Sequence, residues 1–428
     1  MSSFRVRKHT HMRSILLSTI LASAGAASYL KPAPAFAQDR IVGGAPAAAG
    51  AFPFYAYVQI DRNGASVACG GSIISPTYIL TAAHCFDDTP TNTGHVYLSL
   101  TSTSSAGQVR SVVAGRFVPY MPIRLLHSPR NLPQAIAFGD SDVTVHPLYK
   151  AGTPMYDLAL VRLSVASKYP AIPIAGAGLL HGASAVVAGY GYTGVLSPTG
   201  TPMIGGFPAS LQVANIPIVD PTLCSQLWGP LYNASQHTCA GSWIGDVDSC
   251  VGDSGGPMAL LDPNGKAVAL ASVVSYGSGC AQYGTYGVYT RVVTFLGWIK
   301  SVVPNLPAYK QITAAIAPPA GDSVCTHAVM SLPTPTVVMD CGLNTIASIK
   351  LSSYTNQAYP CGAPGSGSAT PTLAALKAGN RADCPVINTA ACVGKQFCIV
   401  SVPPAKCTGS LAYVVSAACG TAKTTMVM

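Results

Sequence analysis

Three short stretches of this 428-residue chain carry groups that could do chemistry together. Thr81-Ala82-Ala83-His84-Cys85 sets a histidine just after an apolar run. Asp157-Leu158-Ala159-Leu160-Val161-Arg162-Leu163 opens an alternating pattern with a carboxylate. Gly252-Asp253-Ser254-Gly255-Gly256-Pro257 places a serine between glycines on a tight turn. A serine hydroxyl becomes a nucleophile when a base takes its proton, a carboxylate orients that base, and backbone N–H groups face the developing oxyanion. Glycines around the serine let the main chain approach a scissile carbonyl closely. Singly, each stretch has an ordinary reading as a packed histidine, a turn-forming aspartate or a Gly-rich turn. Together, in the order His84, Asp157, Ser254, they point to peptide hydrolysis by a serine nucleophile.

The elements that must hold these groups read as strands. Apolar-rich runs at 54–60, 71–80, 157–163, 184–190, 267–275 and 287–291 alternate with Gly, Pro and Asn turns. Helical spacing is rare, and 292–302 is its best example. The pattern predicts an all-β barrel or sandwich.

Composition narrows the class further. Charged residues make up 9% of the chain, against about 25% in typical domains. All 15 acidic residues are Asp, and hydrophobic residues reach 49%, which argues against disorder. The net charge of +9 is concentrated at the ends: 1–37 carries +5, 41–322 is neutral, and 323–428 carries +4. Residues 1–37 combine a basic start, the apolar run 14–30 and the small-x-small site Ala35-Phe36-Ala37, the pattern of a cleaved secretory signal. A membrane anchor is the competing reading of that run. Loss of the most basic segment removes the electrostatic support for a nucleic-acid partner. No later apolar run approaches spanning length, so no stable membrane span is expected after signal removal. Fourteen cysteines, an even number, suit an oxidising, extracellular or periplasmic compartment.

Those cysteines form two groups, Cys69, Cys85, Cys224, Cys239, Cys250 and Cys280, then Cys325, Cys341, Cys361, Cys384, Cys392, Cys398, Cys407 and Cys419. Between them the Pro-rich stretch 304–322 reads as a linker, so the predicted domains are 41–303 and 323–428. Eight cysteines in so short a second module point to bridges, with zinc as the alternative. His327 is its only histidine, and no second close cysteine pair accompanies Cys392 and Cys398.

From about Ile41 to Val303 the chain resembles the trypsin/chymotrypsin-like serine proteases. The resemblance implies two packed six-stranded antiparallel β-barrels with the site between them and a C-terminal helix near 295–299. His84 would be the general base, Asp157 its orienting partner and Ser254 the nucleophile, with the N–H groups of Gly252 and Ser254 as oxyanion hole. Arg40-Ile41-Val42-Gly43-Gly44 resembles the family's activation site, so 38–40 is read as a short propeptide. Cleavage after Arg40 would free the Ile41 ammonium to pair with Asp253. The implied bridges are Cys69–Cys85, Cys224–Cys239 and Cys250–Cys280. Asp248, followed by Ser249, would form the floor of a primary pocket walled by Ser275, Tyr276, Gly277 and Gly287, selecting Arg or Lys. The 73-residue interval from His84 to Asp157 is longer than the family's, and no carboxylate occurs from Thr89 to Gly139. A hard cation needs charged oxygen ligands, so no calcium is expected in that interval. No other metal and no cofactor is expected.

The second module resembles galactose/rhamnose-binding lectin domains in its cysteine order and its Cys392-Val393-Gly394-Lys395-Gln396-Phe397-Cys398 segment. The resemblance implies pairings 325–361, 341–419, 384–407 and 392–398, and a glycan or cell-surface ligand. Three sugar-contact positions of that family are replaced, by Thr326, by Tyr354-Thr355-Asn356 and by Ala405-Lys406. Two functions remain open on these grounds: a secreted protease acting on Arg/Lys-containing peptides or proteins, or a binding protein on an inactive protease scaffold. The intact triad and Asp248 favour the enzyme.

Overall fold

The computed structural model describes residues 41–62, 65–87, 92–98, 111–113, 116–118, 134–176, 184–196, 202–204, 206–262, 264–308 and 310, and then 323–329, 336–340, 346–355, 384, 387–393, 397–402 and 412–419. The described fold is mainly β, built from antiparallel sheets with few helices. Arg40, the segment 1–37 and nearly all of 99–133 lie outside the described residues.

The first sheet runs, edge to edge, Gln134–Phe138, Thr93–Leu98, Tyr55–Arg62, Ala65–Ser75, Tyr78–Thr81, Ala159–Arg162 and Val143–Val145. Its two edge strands are neighbours in sequence, joined only by the turn Asp140–Asp142 and flanking Gly139. The run expected as one strand over 71–80 is two, because Pro76-Thr77 turns the chain back and Ile73 faces Ile79. Proline lacks the N–H that a continuing ladder needs. The strand expected from Asp157 begins at Ala159.

The second sheet runs Ala45–Pro46, Gln212–Pro217, Ser184–Gly189, Pro257–Leu261, Ala267–Tyr276, Gly287–Arg291 and His237–Ala240. An isolated antiparallel bridge, Ile218 to Ala240, links the chain just after Gln212–Pro217 to the far edge strand. Side chains that alternate inward along these strands, among them Ile60, Ile73, Leu80, Leu160, Leu270 and Val273, make one continuous buried cluster.

Two short helices serve this frame. The helix Pro221–Trp228 was not visible in the hydrophobic period, since eight residues give little more than two turns. Its signals are local: Asp220 caps it by accepting from the Thr222 N–H at 2.7 Å, Pro221 sits in the first turn, and Gly229 ends it. The expected helix over 292–302 begins as a tight turn, Val292–Phe295, and becomes α-helical over Leu296–Val302. Beyond it the chain stays on the first core. Leu306 packs there, the Lys310 N–H donates to Ile174 O at 2.8 Å, and the Gly176 N–H donates to Lys310 O at 2.9 Å.

In the C-terminal part, Ser323–Val329, Ala412–Cys419 and Ile346–Thr355 form a three-stranded antiparallel sheet, and Thr336–Asp340 pairs with Phe397–Ser401. Tyr354 and Tyr413 pack edge to face beside Ile346, Val415 and Ala417 in a small core. Cys392 is bonded to Cys398 there, and Cys384 is disulfide-bonded. Cys341, Cys361 and Cys407, and the side chains of Cys325 and Cys419, lie outside the described residues, and so do the pairings 325–361, 341–419 and 384–407.

Candidate active site

Register brings the histidine and the aspartate together. Ala159 pairs with Thr81, so the chain entering one strand at Asp157 meets the chain leaving the other toward His84. His84 lies in the single turn Ala83–Phe86, which a bond from Cys85 to Cys69 ties to the neighbouring strand. Asp157 grips it twice. Its Oδ1 accepts the His84 main-chain N–H at 2.9 Å, and its Oδ2 lies 2.8 Å from Nδ1. Both the ring and the backbone that carries it are therefore fixed by one carboxylate.

Asp157 is buried, and burial by itself would raise its pKa. The His84 charge and hydrogen bonds, with the Ser275 hydroxyl donating to Oδ2 at 2.5 Å, reverse that and hold it below the usual carboxylate value. Sequence reasoning had placed Ser275 in the pocket wall and missed this bond. Ser275 lies near the end of the strand Ala267–Tyr276, and strand alternation does not identify such a partner. The His84 side chain keeps 31% of its surface exposed, enough for a reacting group to reach the ring.

Ser254 stands on a turn seated against the first sheet. The Gly70 N–H donates to Ser254 O at 2.7 Å, and Gly70 O accepts from the Thr81 hydroxyl at 2.7 Å. Cys85 Sγ lies 3.9 Å from Ser254 O, so the serine turn and the histidine turn adjoin. Gly255 has φ +78°, and a Cβ there would fall 2.1 Å from Thr81 Oγ1 and 2.5 Å from Gly70 O. Gly252 has φ +97°, another conformation that side chains rarely adopt. The amides of Asp253, Gly255 and Gly256 are all bonded to carbonyls. Among the described residues, no such bond is made by the amides of Gly252 and Ser254.

Two buried carboxylates flank this turn. Asp253 accepts from the Gly191 N–H at 2.8 Å and the Cys250 N–H at 2.9 Å, yet burial pushes its pKa up to about 7. Ile41 is fully buried, and Val42 pairs with Asp248, whose N–H donates to Val42 O at 3.2 Å. Asp248 Oδ2 accepts from the Ala281 N–H at 2.9 Å, while Oδ1 is buried with no hydrogen-bond partner among the described residues. Burial raises Asp248 to about 7 as well. A bond from Cys250 to Cys280 ties the segment that carries Asp248 to the one that carries Ala281, and one from Cys224 to Cys239 holds the helix Pro221–Trp228 to the second sheet. Gly287 lies over Asp248, where a Cβ would sit 2.9 Å from Oδ1. Ser249 Oγ and Tyr289 OH are 3.0 Å apart. Tyr276 turns outward, its hydroxyl donating to Leu231 O at 2.7 Å and its ring meeting Trp228 edge to face.

The Trypsin family profile matches residues 41–122 and 126–299. A "Trypsin-like protease" of Streptomyces glaucescens is 33% identical over 259 residues, covering 60% of this chain and 81% of that protein. "Trypsin I-P1" of Gallus gallus is 32% identical over 272 residues, covering 63% and 91% respectively. The "Suppressor of tumorigenicity 14 protein homolog" of Bos taurus is 32% identical over 274 residues, and there the match spans only 28% of the relative. With this match over more than half its length, the chain belongs to the trypsin family and is a serine endopeptidase.

Proposed function

We infer that this is a secreted endopeptidase of trypsin-like specificity, made as a precursor and cutting after Arg or Lys. One observation carries the specificity: the buried Asp248 with an unsatisfied Oδ1. An isolated buried carboxylate is costly, and its energy falls when a guanidinium or ammonium enters beside it. Glycine at 287 keeps that oxygen clear, since a Cβ there would sit 2.9 Å from it. Gly277, Ser249, Ser275 and Tyr276 are proposed to line the passage, the last two with their hydroxyls turned away to Asp157 and Leu231.

Catalysis follows from the proposed triad. His84 takes the Ser254 proton as Oγ attacks the carbonyl, and later gives it to the departing amine. Asp157 keeps Nδ1 protonated and stabilises the imidazolium that forms. The amides of Gly252 and Ser254 receive the oxyanion. The proposed fold is two barrels of six strands each. In the first, the segments 134–138 and 143–145 act as one bent strand; in the second, the Ile218–Ala240 bridge is the seam.

Activation rests on Asp253. A cut after Arg40 would free the Ile41 ammonium, and pairing with it would relieve a carboxylate that is otherwise buried without a cation. The signal segment 1–37, the propeptide 38–40, the catalytic domain 41–303, the linker 304–322, whose first residues to Lys310 pack on the catalytic core, and the C-terminal domain 323–428 complete the proposed organisation. The C-terminal domain is read as a lectin-like frame with a glycan or surface partner other than galactose or rhamnose, since three sugar-contact positions differ. Among the described residues no helix is long and apolar enough to cross a membrane. The test of the specificity reading is hydrolysis of matched arginyl, lysyl and phenylalanyl amides. Preference for the first two, lost in Asp248→Ser, is expected; preference for phenylalanyl contradicts it.

A further inference from the structure

Of the three non-glycine residues with positive φ among those described, one immediately precedes Asp157: Tyr156, at φ +59°. A bulky side chain rarely holds that conformation unless its surroundings impose it. Here they do. The Tyr156 ring stacks on His146 with centroids 5.1 Å apart and planes 19° apart. His146 is itself buried, held edge to face by Trp298 at 4.8 Å and by Phe295 at 5.3 Å. Phe295 also meets the Tyr156 ring at 6.0 Å.

The backbone is held from both sides as well. The Tyr156 N–H donates to Gln236 Oε1 at 3.1 Å, and the Leu158 N–H donates to Tyr156 O at 2.8 Å. The His146 N–H donates to Leu158 O at 3.0 Å, so the same residue grips the chain on each side of Asp157, through its ring and through its main chain. Leu148 N–H donates to His146 Nδ1 at 3.3 Å, which leaves the ring's proton on Nε2 and the stack neutral.

We propose that His146, braced by Trp298 and Phe295, is a positioning residue that locks Tyr156 in its left-handed conformation and thereby aims the Asp157 carboxylate at His84. The proposal rests on the reading of Asp157 as the orienting carboxylate. None of these aromatic groups touches the reacting atoms. Their effect passes through a single peptide unit to Asp157, where a displacement of about 1 Å misplaces the base and costs up to about a hundredfold in rate.

The test is steady-state kinetics of the activated full-length enzyme on a peptide amide, with thermal unfolding measured in parallel. His146→Ala should lower kcat about tenfold to a hundredfold, with KM within about twofold because no substrate contact is lost. His146→Phe keeps a ring to stack on Tyr156 and should recover most of the lost kcat. Tyr156→Gly takes φ +59° without strain but removes the clamp, so it should fold and still lose kcat; it decides the matter if His146→Ala does not fold. Wild-type kcat in Tyr156→Gly or His146→Ala overturns the proposal, as does a His146→Phe enzyme no faster than His146→Ala. Asp157→Asn is run alongside. Its near-complete loss of turnover keeps the reading of Asp157 intact whatever the other variants do, whereas near-normal turnover in Asp157→Asn overturns that reading itself.

Discussion

The Ser275 hydroxyl and the Asp157 carboxylate are joined at 2.5 Å, on the same oxygen that faces His84 Nδ1. One strand of the second sheet thus reaches across to steady a residue that belongs to the first. Hydrogen bonds to charged groups contribute about 1.5–3 kcal/mol. Ser275→Ala should therefore cost stability of that order and lower kcat by at most about ten- to a hundredfold, to the extent that the bond strengthens as the imidazolium forms. That is less than for Asp157→Asn, where a loss on the order of 10⁴ is expected. The sign of the pH effect is fixed too. Asp157 is held below its unfolded value, so its stabilisation is present above that value and is lost as pH falls through the folded one. Without Ser275 the folded value rises, and acid unfolding should move to higher pH. A Ser275→Ala enzyme with unchanged kcat and unchanged acid midpoint would deny the bond a role.

Asp248 titrates in the opposite sense. Burial lifts it to about 7, so the folded protein holds a proton there that the unfolded chain has already released above about pH 4. Its contribution to stability should fall as pH rises from about 4 to 7. Asp248→Asn, compared with wild type by thermal unfolding, should become the more stable of the two over that window. An amidine inhibitor should bind more tightly as pH rises through the same range and level off above about 7. Inhibitor affinity independent of pH would mean the cation does not meet this carboxylate.

Activation should leave a mature chain whose N-terminal sequencing reads Ile-Val-Gly-Gly. Arg40→Gln should stay inactive, and Asp253→Asn should be cut at Arg40 yet remain slow, because the freed ammonium of Ile41 finds no carboxylate. Full activity in Arg40→Gln with the propeptide retained would remove the basis for this mechanism.

The site was legible where chemistry forces a residue type onto a recognisable local frame. Ser254 needs Gly255 beneath it because any Cβ there strikes Thr81 and Gly70, and the Gly-rich hexapeptide displays that need in one stretch. Asp248 is proposed for the specificity site from its place two residues before Cys250 and six before Ser254. The Ser275–Asp157 bond spans 118 residues, and the stack of Tyr156 on His146, with Phe295 and Trp298 set edge to face on His146, joins three separate segments. Nothing local in the sequence encodes such encounters. The turn at Pro76-Thr77 differs, because its proline is a local signal that breaks the run 71–80 into a hairpin.

The chain between the helix Leu296–Val302 and Lys310 belongs energetically to the first core. Two backbone hydrogen bonds at Lys310 and the packing of Leu306 together contribute roughly 2–4 kcal/mol. A protein ending at Val303 should therefore unfold several degrees below one ending at Lys310, with both cleaving small amides at similar kcat. Equal melting temperatures would show that these contacts add nothing.

The most direct measurement is the map of bonds cut in an unfolded protein substrate, read by mass spectrometry, for the activated enzyme beside Ser254→Ala. The wild type should cut after Arg and Lys, and Ser254→Ala should be slower by a factor on the order of 10⁶. Cuts after Phe or Leu, or a Ser254→Ala map equal to that of the wild type, would contradict the account.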